Sequence, residues 1–202
     1  VPSTELHLVR HGHNEDGAEL PDGNHDGRLS ELGRRQSALL GERLAGTGYT
    51  EIRHSTLPRA AETAAVLAER LPGVPLVPDD LLRECIPSRP DPGVLSAGQE
   101  AWFAEWERDL PAALVDGPRQ AAAAVAALSA VTDADRCVLL VTHGNLIRWF
   151  AAAALGAPPH AWLFMKDDHA ALTVLRYEAD GRARLVRYND AGHLPASTRP
   201  AG

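Results

Sequence analysis

The chain has 202 residues, of which 45% are apolar and 23% charged, and a formal net charge of −7. That is ordinary globular usage, with enough chain for one substantial core, so a single domain over residues 1–202 is expected. The scattered basic residues exclude a nucleic-acid footprint, and no apolar run approaches the ~18 residues of a membrane span. The start, Val-Pro-Ser-Thr-Glu, has no basic region followed by an apolar run, so no leader is expected there. Residues 6–9, Leu-His-Leu-Val, read as a strand. A long polar stretch without periodicity follows over residues 13–28 and reads as a loop. Ser30 can cap a helix over 31–45, with Leu32, Leu39, Leu40 and Leu44 on one face and Gly46 and Gly48 after it. Residues 51–53 form a weak strand, and 57–71 a helix with Pro58 tolerated in its first turn.

A short strand at 75–77 leads through Asp79 and Asp80, read as exposed turn residues, to Glu84. A Pro-rich loop follows, and then helical segments over 97–114 and 118–130. Trp102, Phe103 and Trp106 lie in the first of these, read mainly as core and otherwise as part of a lid over the site. Residues 137–141 form a continuous apolar run, as a buried central strand does. A helix over 145–155 follows, stopped by Gly156 and two prolines. Strands over 171–177 and 183–188 flank the hairpin signal Asp180-Gly181. Strands alternating with helices predict an α/β domain, and the late hairpin makes the sheet mixed. The two cysteines, Cys85 and Cys137, make neither a disulfide framework nor a four-thiolate metal site and fit a reducing compartment, the cytoplasm.

The chemistry sits where two of these strands end. Leu8-Val9-Arg10-His11-Gly12 and Leu140-Val141-Thr142-His143-Gly144 close in the same way. In an open α/β sheet ligands bind beyond the carboxyl ends of the strands, so on one parallel sheet His11 and His143 face each other. Gly12 and Gly144 let backbone approach an anion, and the helix starting near Asn145 aims free N–H groups at the same place. Arg10 flanks His11. Arg59 lies in the first turns of a helix, where a cation is mildly unfavourable unless it serves an anion. Two histidines and two arginines suit phosphoryl transfer: one neutral imidazole attacks phosphorus while the others hold its oxygens. A leaving alcohol needs a proton, and Glu84 is the best-placed carboxyl.

These residues resemble the histidine phosphatase family, the phosphoglycerate-mutase-like superfamily. Arg10-His11-Gly12 resembles its signature, in which the histidine becomes a phosphohistidine. Ser55 to Thr63 is similar to its Ser-x-x-x-Arg-Ala-x-x-Thr segment, Glu84 falls at the proton donor, and His143-Gly144 at the second histidine. The resemblance implies a three-layer α/β/α sandwich with a mostly parallel, mixed sheet, and a metal-independent phosphatase with His11, Glu84 and His143 catalytic. Arg10, Arg59 and Gly144 bind phosphate in that reading. The Asn usual at position 17 is replaced by Gly17, and Asn14 is the candidate to take its place. The family's topology also brings His169 near the pocket. Residues 57–91, with Asn145 to Arg148 and Asn189 to Leu194, resemble the mitochondrial serine/threonine-protein phosphatase branch, while the Ala-, Arg- and Pro-rich composition resembles a bacterial protein.

The expected activity is hydrolysis of a phosphomonoester, on a phosphorylated small molecule or a phosphoprotein, with inorganic phosphate as product and no cofactor. A phosphoglycerate-type mutase and a non-catalytic phosphate binder are the competing readings. A metal on His11, His13, His25 and Asp26 is a minor one, and His25 and Arg28 are otherwise expected at the pocket rim. No nucleic-acid or membrane partner is expected, and a homodimer is compatible with the sequence.

Overall fold

A computed structural model describes residues 1–20, 24–108 and 117–198. The elements run β1 (Ser3–Arg10), α1 (Glu31–Leu44), β2 (Glu51–His54), α2 (Pro58–Arg70) and β3 (Leu76–Pro78), then α3 (Ala97–Arg108) and α4 (Gly117–Leu128). They continue with β4 (Arg136–Thr142), α5 (Gly144–Ala154), β5 (Leu172–Glu178) and β6 (Ala183–Asp190), with short 3₁₀ turns at Asp80–Leu82, Ala161–Phe164 and Ala196–Thr198. The 109–114 part of the helix expected over 97–114 lies outside the described residues, as do 21–23 of the long loop.

The strands form one sheet in the order β3-β2-β4-β1-β5-β6. The first four are mutually parallel, β5 runs antiparallel to β1, and β6 is antiparallel to β5. Only β5 is reversed, so the sheet is mixed and mostly parallel. Gly181, with φ +86°, makes the β5–β6 turn expected at Asp180-Gly181.

Alternation along the strands produces three layers. Val9, Ile52, Leu139 and Val141 face one side, where Leu40 and Leu44 of α1 and Ala60, Ala64 and Leu67 of α2 cover them. Leu6, Leu8, Val138 and Leu140 face the other, under Ala121, Ala124 and Leu128 of α4 and Leu146, Ile147 and Phe150 of α5. All of these are buried, each large side chain contributing roughly 1.5–3 kcal/mol by leaving water.

Several details differ from the expected pattern. Ser30 caps α1 through its Oγ, which accepts from Gly33 N at 3.1 Å. The buried face of that helix is Gly33, Gln36, Ser37, Leu40, Gly41 and Leu44, whereas Leu32 and Leu39 lie half out. Gln36 is buried because its amide bridges His13 N and Thr198 O, at 2.8 and 2.7 Å. Asp79 is not an exposed turn residue: it caps the Asp80–Leu82 turn and pairs with Arg53 at 3.0 Å. The long loop is tied to itself by bridges Asn14↔Leu29 and Glu19↔His25. Trp102 is half exposed and stacks on Trp106, and of the aromatic trio only Phe103 is buried.

Candidate active site

The register of β1 against β4 builds the centre. Arg10 lies opposite Thr142, so the next residue on each strand, His11 and His143, emerges side by side at the carboxyl edge. His11 N donates to Thr142 O at 3.0 Å, and the two rings lie 5.1 Å apart. β2 contributes Ser55, whose N bonds Val141 O and whose Oγ meets His143 Nε2 at 2.8 Å.

Hydrogen bonding fixes the tautomer of His11. Its Nδ1 lies 2.8 Å from the Gly12 carbonyl, which can only accept, so Nδ1 carries the proton. Nε2 then keeps its lone pair, and Arg59 Nε donates toward it at 3.3 Å. Burial, then Arg59, Arg10 and His169, hold the His11 pKa well below that of free histidine, which keeps the imidazole neutral. His143 is shifted the same way by burial, His11 and the two arginines. Its buried Nδ1 has no partner among the described residues.

Arg59 is nearly buried at the start of α2, where no side chain caps the helix. Its Nη1 donates to His25 O at 2.9 Å. Thr63, one turn on, accepts from Gly12 N at 3.0 Å and donates to Arg59 O at 2.8 Å, so one hydroxyl fixes both the histidine loop and the arginine. Arg10 Nη1 donates to the Asp167 carbonyl, while its Nε has no partner among the described residues. The start of α5 is also uncapped, with Gly144 its first residue.

Glu84 is placed by the turn before it. Thr142 Oγ1 donates to Leu82 O at 2.7 Å, and Gln120 Nε2 donates to Leu81 O and Arg83 O. The Glu84 side chain opens on a cleft of about 440 Å³, walled by Arg10, Gly144, Asn145, Arg148 and Asp167. Desolvation raises its pKa above the usual carboxylate value against the pull of Arg59, Arg10 and Arg148. A carboxyl with a raised pKa on the adjoining cleft and a histidine with a lowered one have the shifts expected of a proton donor and a neutral nucleophile.

Asn14 is not brought into this group. Its Nδ2 donates to Glu15 O at 3.0 Å in a surface bond, where the loop pairs Asn14 with Leu29. Arg28 points elsewhere too, pairing with Glu62 at 2.5 Å. His13 Nδ1 meets Ser30 Oγ at 2.8 Å.

Two further residues lie against this group. The His169 ring lies 5.3 Å from that of His11 and 5.6 Å from that of His13, and burial with Arg10 and His13 pushes its pKa down to about 3. It is pinned by Ala170, whose φ of +54° is rare outside glycine and whose N donates to Arg10 O. Asp167 is buried, both its oxygens lack a partner among the described residues, and burial pushes its pKa up to about 7. Asp167 carries no sequence signal, because it follows a 3₁₀ turn in an unpatterned segment.

A profile of the histidine phosphatase superfamily, branch 1, matches residues 6–191, nearly the whole chain and all of the residues above. The chain belongs to that superfamily. The chain is 34% identical over 196 residues to the mitochondrial serine/threonine-protein phosphatase PGAM5 of Rattus norvegicus, covering 94% of this chain and 64% of the relative. The Homo sapiens protein of that name is 33% identical over 195 residues, covering 94% and 63%. The chain thus spans less than two thirds of the length of these relatives.

Among solved structures, a mycobacterial glucosyl-3-phosphoglycerate phosphatase superposes with a TM-score of 0.65 at 28% identity, over 93% of this chain and 99% of that one. Bacillus stearothermophilus YhfR superposes at 0.71 with 24% identity, over 94% and 98%, which shows the shared fold. The chain is thus a three-layer α/β/α sandwich of the phosphoglycerate-mutase type. No helix among the described residues is long and apolar enough to cross a membrane.

Proposed function

We propose that this chain hydrolyses phosphomonoesters through a phosphohistidine on His11. The observation that carries the reading is the bonding of His11: Nδ1 held by Gly12 O and Nε2 unprotonated with Arg59 donating to it, with Glu84 on the adjoining cleft. In the first step Nε2 forms a bond to phosphorus and the ester P–O bond breaks, with the Glu84 proton passing to the leaving oxygen. Arg10, Arg59, His143 and the N–H groups from Gly144 onward hold the phosphoryl oxygens. In the second step water attacks phosphorus, the N–P bond breaks, Glu84 takes the water's proton, and inorganic phosphate leaves. Asn14 enters the reading only if the loop turns it from Glu15 toward the phosphate. The whole of residues 1–202 acts as one domain in this reading, in the cytoplasm of a bacterium.

His11→Ala is expected to lower hydrolysis of an aryl phosphate by at least ~10⁴-fold, as loss of a covalent nucleophile does. Unchanged turnover would overturn the proposal. A phosphoprotein substrate is favoured by the 33–34% identity to serine/threonine-protein phosphatases over 94% of the chain. A phosphorylated small molecule is favoured by the likeness to the mycobacterial sugar-phosphate enzyme. Comparing kcat/KM on phosphoserine and phosphothreonine peptides with that on sugar phosphates separates the two.

A further inference from the structure

At the opposite end of β1 from His11 lies a second cluster of reactive side chains that the proposed phosphatase chemistry does not use. Glu5 and His7 are two residues apart on β1 and so share a face, and Cys137 on β4 is the direct cross-strand neighbour of Glu5. One ligand atom from each of the three lies within 4.8 Å of the others. Six residues of strand, about 20 Å, separate Glu5 from His11.

From this geometry we infer a binding site for one divalent transition metal of the zinc type, held by Glu5 carboxylate, His7 Nε2 and Cys137 thiolate. Sulfur, imidazole and carboxylate together are a donor set that suits zinc, and they sit on adjacent sheet strands rather than loops. The His7 ring is already aimed. Its Nδ1 lies 2.6 Å from Tyr49 OH, the outer-shell bond that a ligating histidine makes through its other nitrogen. Its Nε2 is turned to Glu5 Oε1 at 2.7 Å, toward the metal position. A surface cavity of about 340 Å³, lined by Glu5, Cys137, Thr47, Thr50 and Arg176, supplies an entry path and room for a water as fourth ligand. Binding replaces the thiol S–H of Cys137 by a sulfur–metal bond, and its proton leaves to solvent. The site staples the amino-terminal halves of β1 and β4 and takes no part in phosphoryl transfer.

The experiment is cobalt(II) titration of the reduced chain, read by the thiolate-to-cobalt absorption band, followed by displacement with zinc. One cobalt per chain is expected, with a band that Cys137→Ser abolishes and Cys85→Ser and His11→Ala retain. Glu5→Gln should weaken zinc at least tenfold. Excess zinc should raise the unfolding midpoint by about 5 °C in the native sequence and not in Cys137→Ser. Because His7 is buried and hydrogen-bonded, the half-exposed Cys137 and Glu5 carry the test. The absence of a thiolate band, binding indifferent to Cys137→Ser, or binding lost in His11→Ala and so owed to the active-site imidazoles, would each overturn the inference.

Discussion

In the proposed mechanism His11 attacks only while its imidazole is neutral, and burial beside Arg59 and Arg10 keeps it so well below pH 6.5. Glu84 works in the opposite direction. It must carry a proton to deliver one, and burial holds its pKa above the ordinary value of 4.5. Activity therefore falls as pH rises through the raised Glu84 pKa, while the acid limb set by His11 lies well below 6.5. Glu84→Gln should remove the alkaline limb and lower kcat by ~10²–10³-fold on an alkyl phosphate, with a much smaller loss on an aryl phosphate whose leaving group needs no proton. Equal losses on both esters would reassign Glu84 to phosphate binding. Asp167 shows the energetic side of the same burial. Its folded pKa of about 7 exceeds the unfolded 3.8, so the folded state binds more protons between those values and stability falls as pH rises through that window. Asp167→Asn should raise stability at pH 8 by on the order of a few kcal/mol and leave it unchanged below pH 4, as denaturant unfolding at the two pH values would show. The sequence suggested that His11, Arg59 and His143 come together because reactive residue types there end apolar runs or open a helix, and the structure brings these three side chains into one group. Asp167 was not readable in this way, since its link to the group is made by Arg10, 157 residues away, donating to its backbone carbonyl.

The elements that carry the site are held by close backbone approaches. A Cβ on Gly33 would stand 1.9 Å from His13 O, and one on Gly12 2.6 Å from Gly33 O, so α1 presses directly on the loop that follows the nucleophile. Gly144, by contrast, has room for a Cβ, whose nearest neighbours would be Asp167 Oδ2 at 3.5 Å and Arg10 Nε at 3.6 Å. Gly33→Ala should displace the His11–His13 segment, cost about 1–3 kcal/mol of stability and reduce kcat. Unfolding midpoint and turnover, measured on the same preparation, check both parts, and an unaltered kcat would show that α1 does not position His11. Element identity was plain in the sequence wherever apolar periodicity was strong, with ends shifted by at most three residues among the described elements. The buried face of α1 was misread because Gly33, Gln36, Ser37 and Gly41 are packed there for contact and hydrogen bonding, which hydropathy does not register.

Over the whole molecule, strand order is what turns separate motifs into one site. β1 and β4 are 126 residues apart at their closest ends yet adjacent in the sheet, in a register that delivers both histidines to one edge. The two similar strand ends suggested this arrangement. The order β3-β2-β4-β1-β5-β6 did not follow from them, because local sequence does not encode which strand lies beside which. The same parallel register that joins His11 to His143 at one end gathers Glu5, His7 and Cys137 at the other. In the proposed mechanism the first of those histidines, His11, carries a covalent phosphoryl group during turnover. Rapid acid-free quenching of the chain during turnover of an aryl phosphate, with the modified peptide sequenced by mass spectrometry, tests it most directly. The predicted result is one alkali-stable, acid-labile phosphoryl group on His11. A phosphoryl group on His143 or on another side chain, or turnover with no phosphorylated intermediate in the pre-steady state, would contradict it.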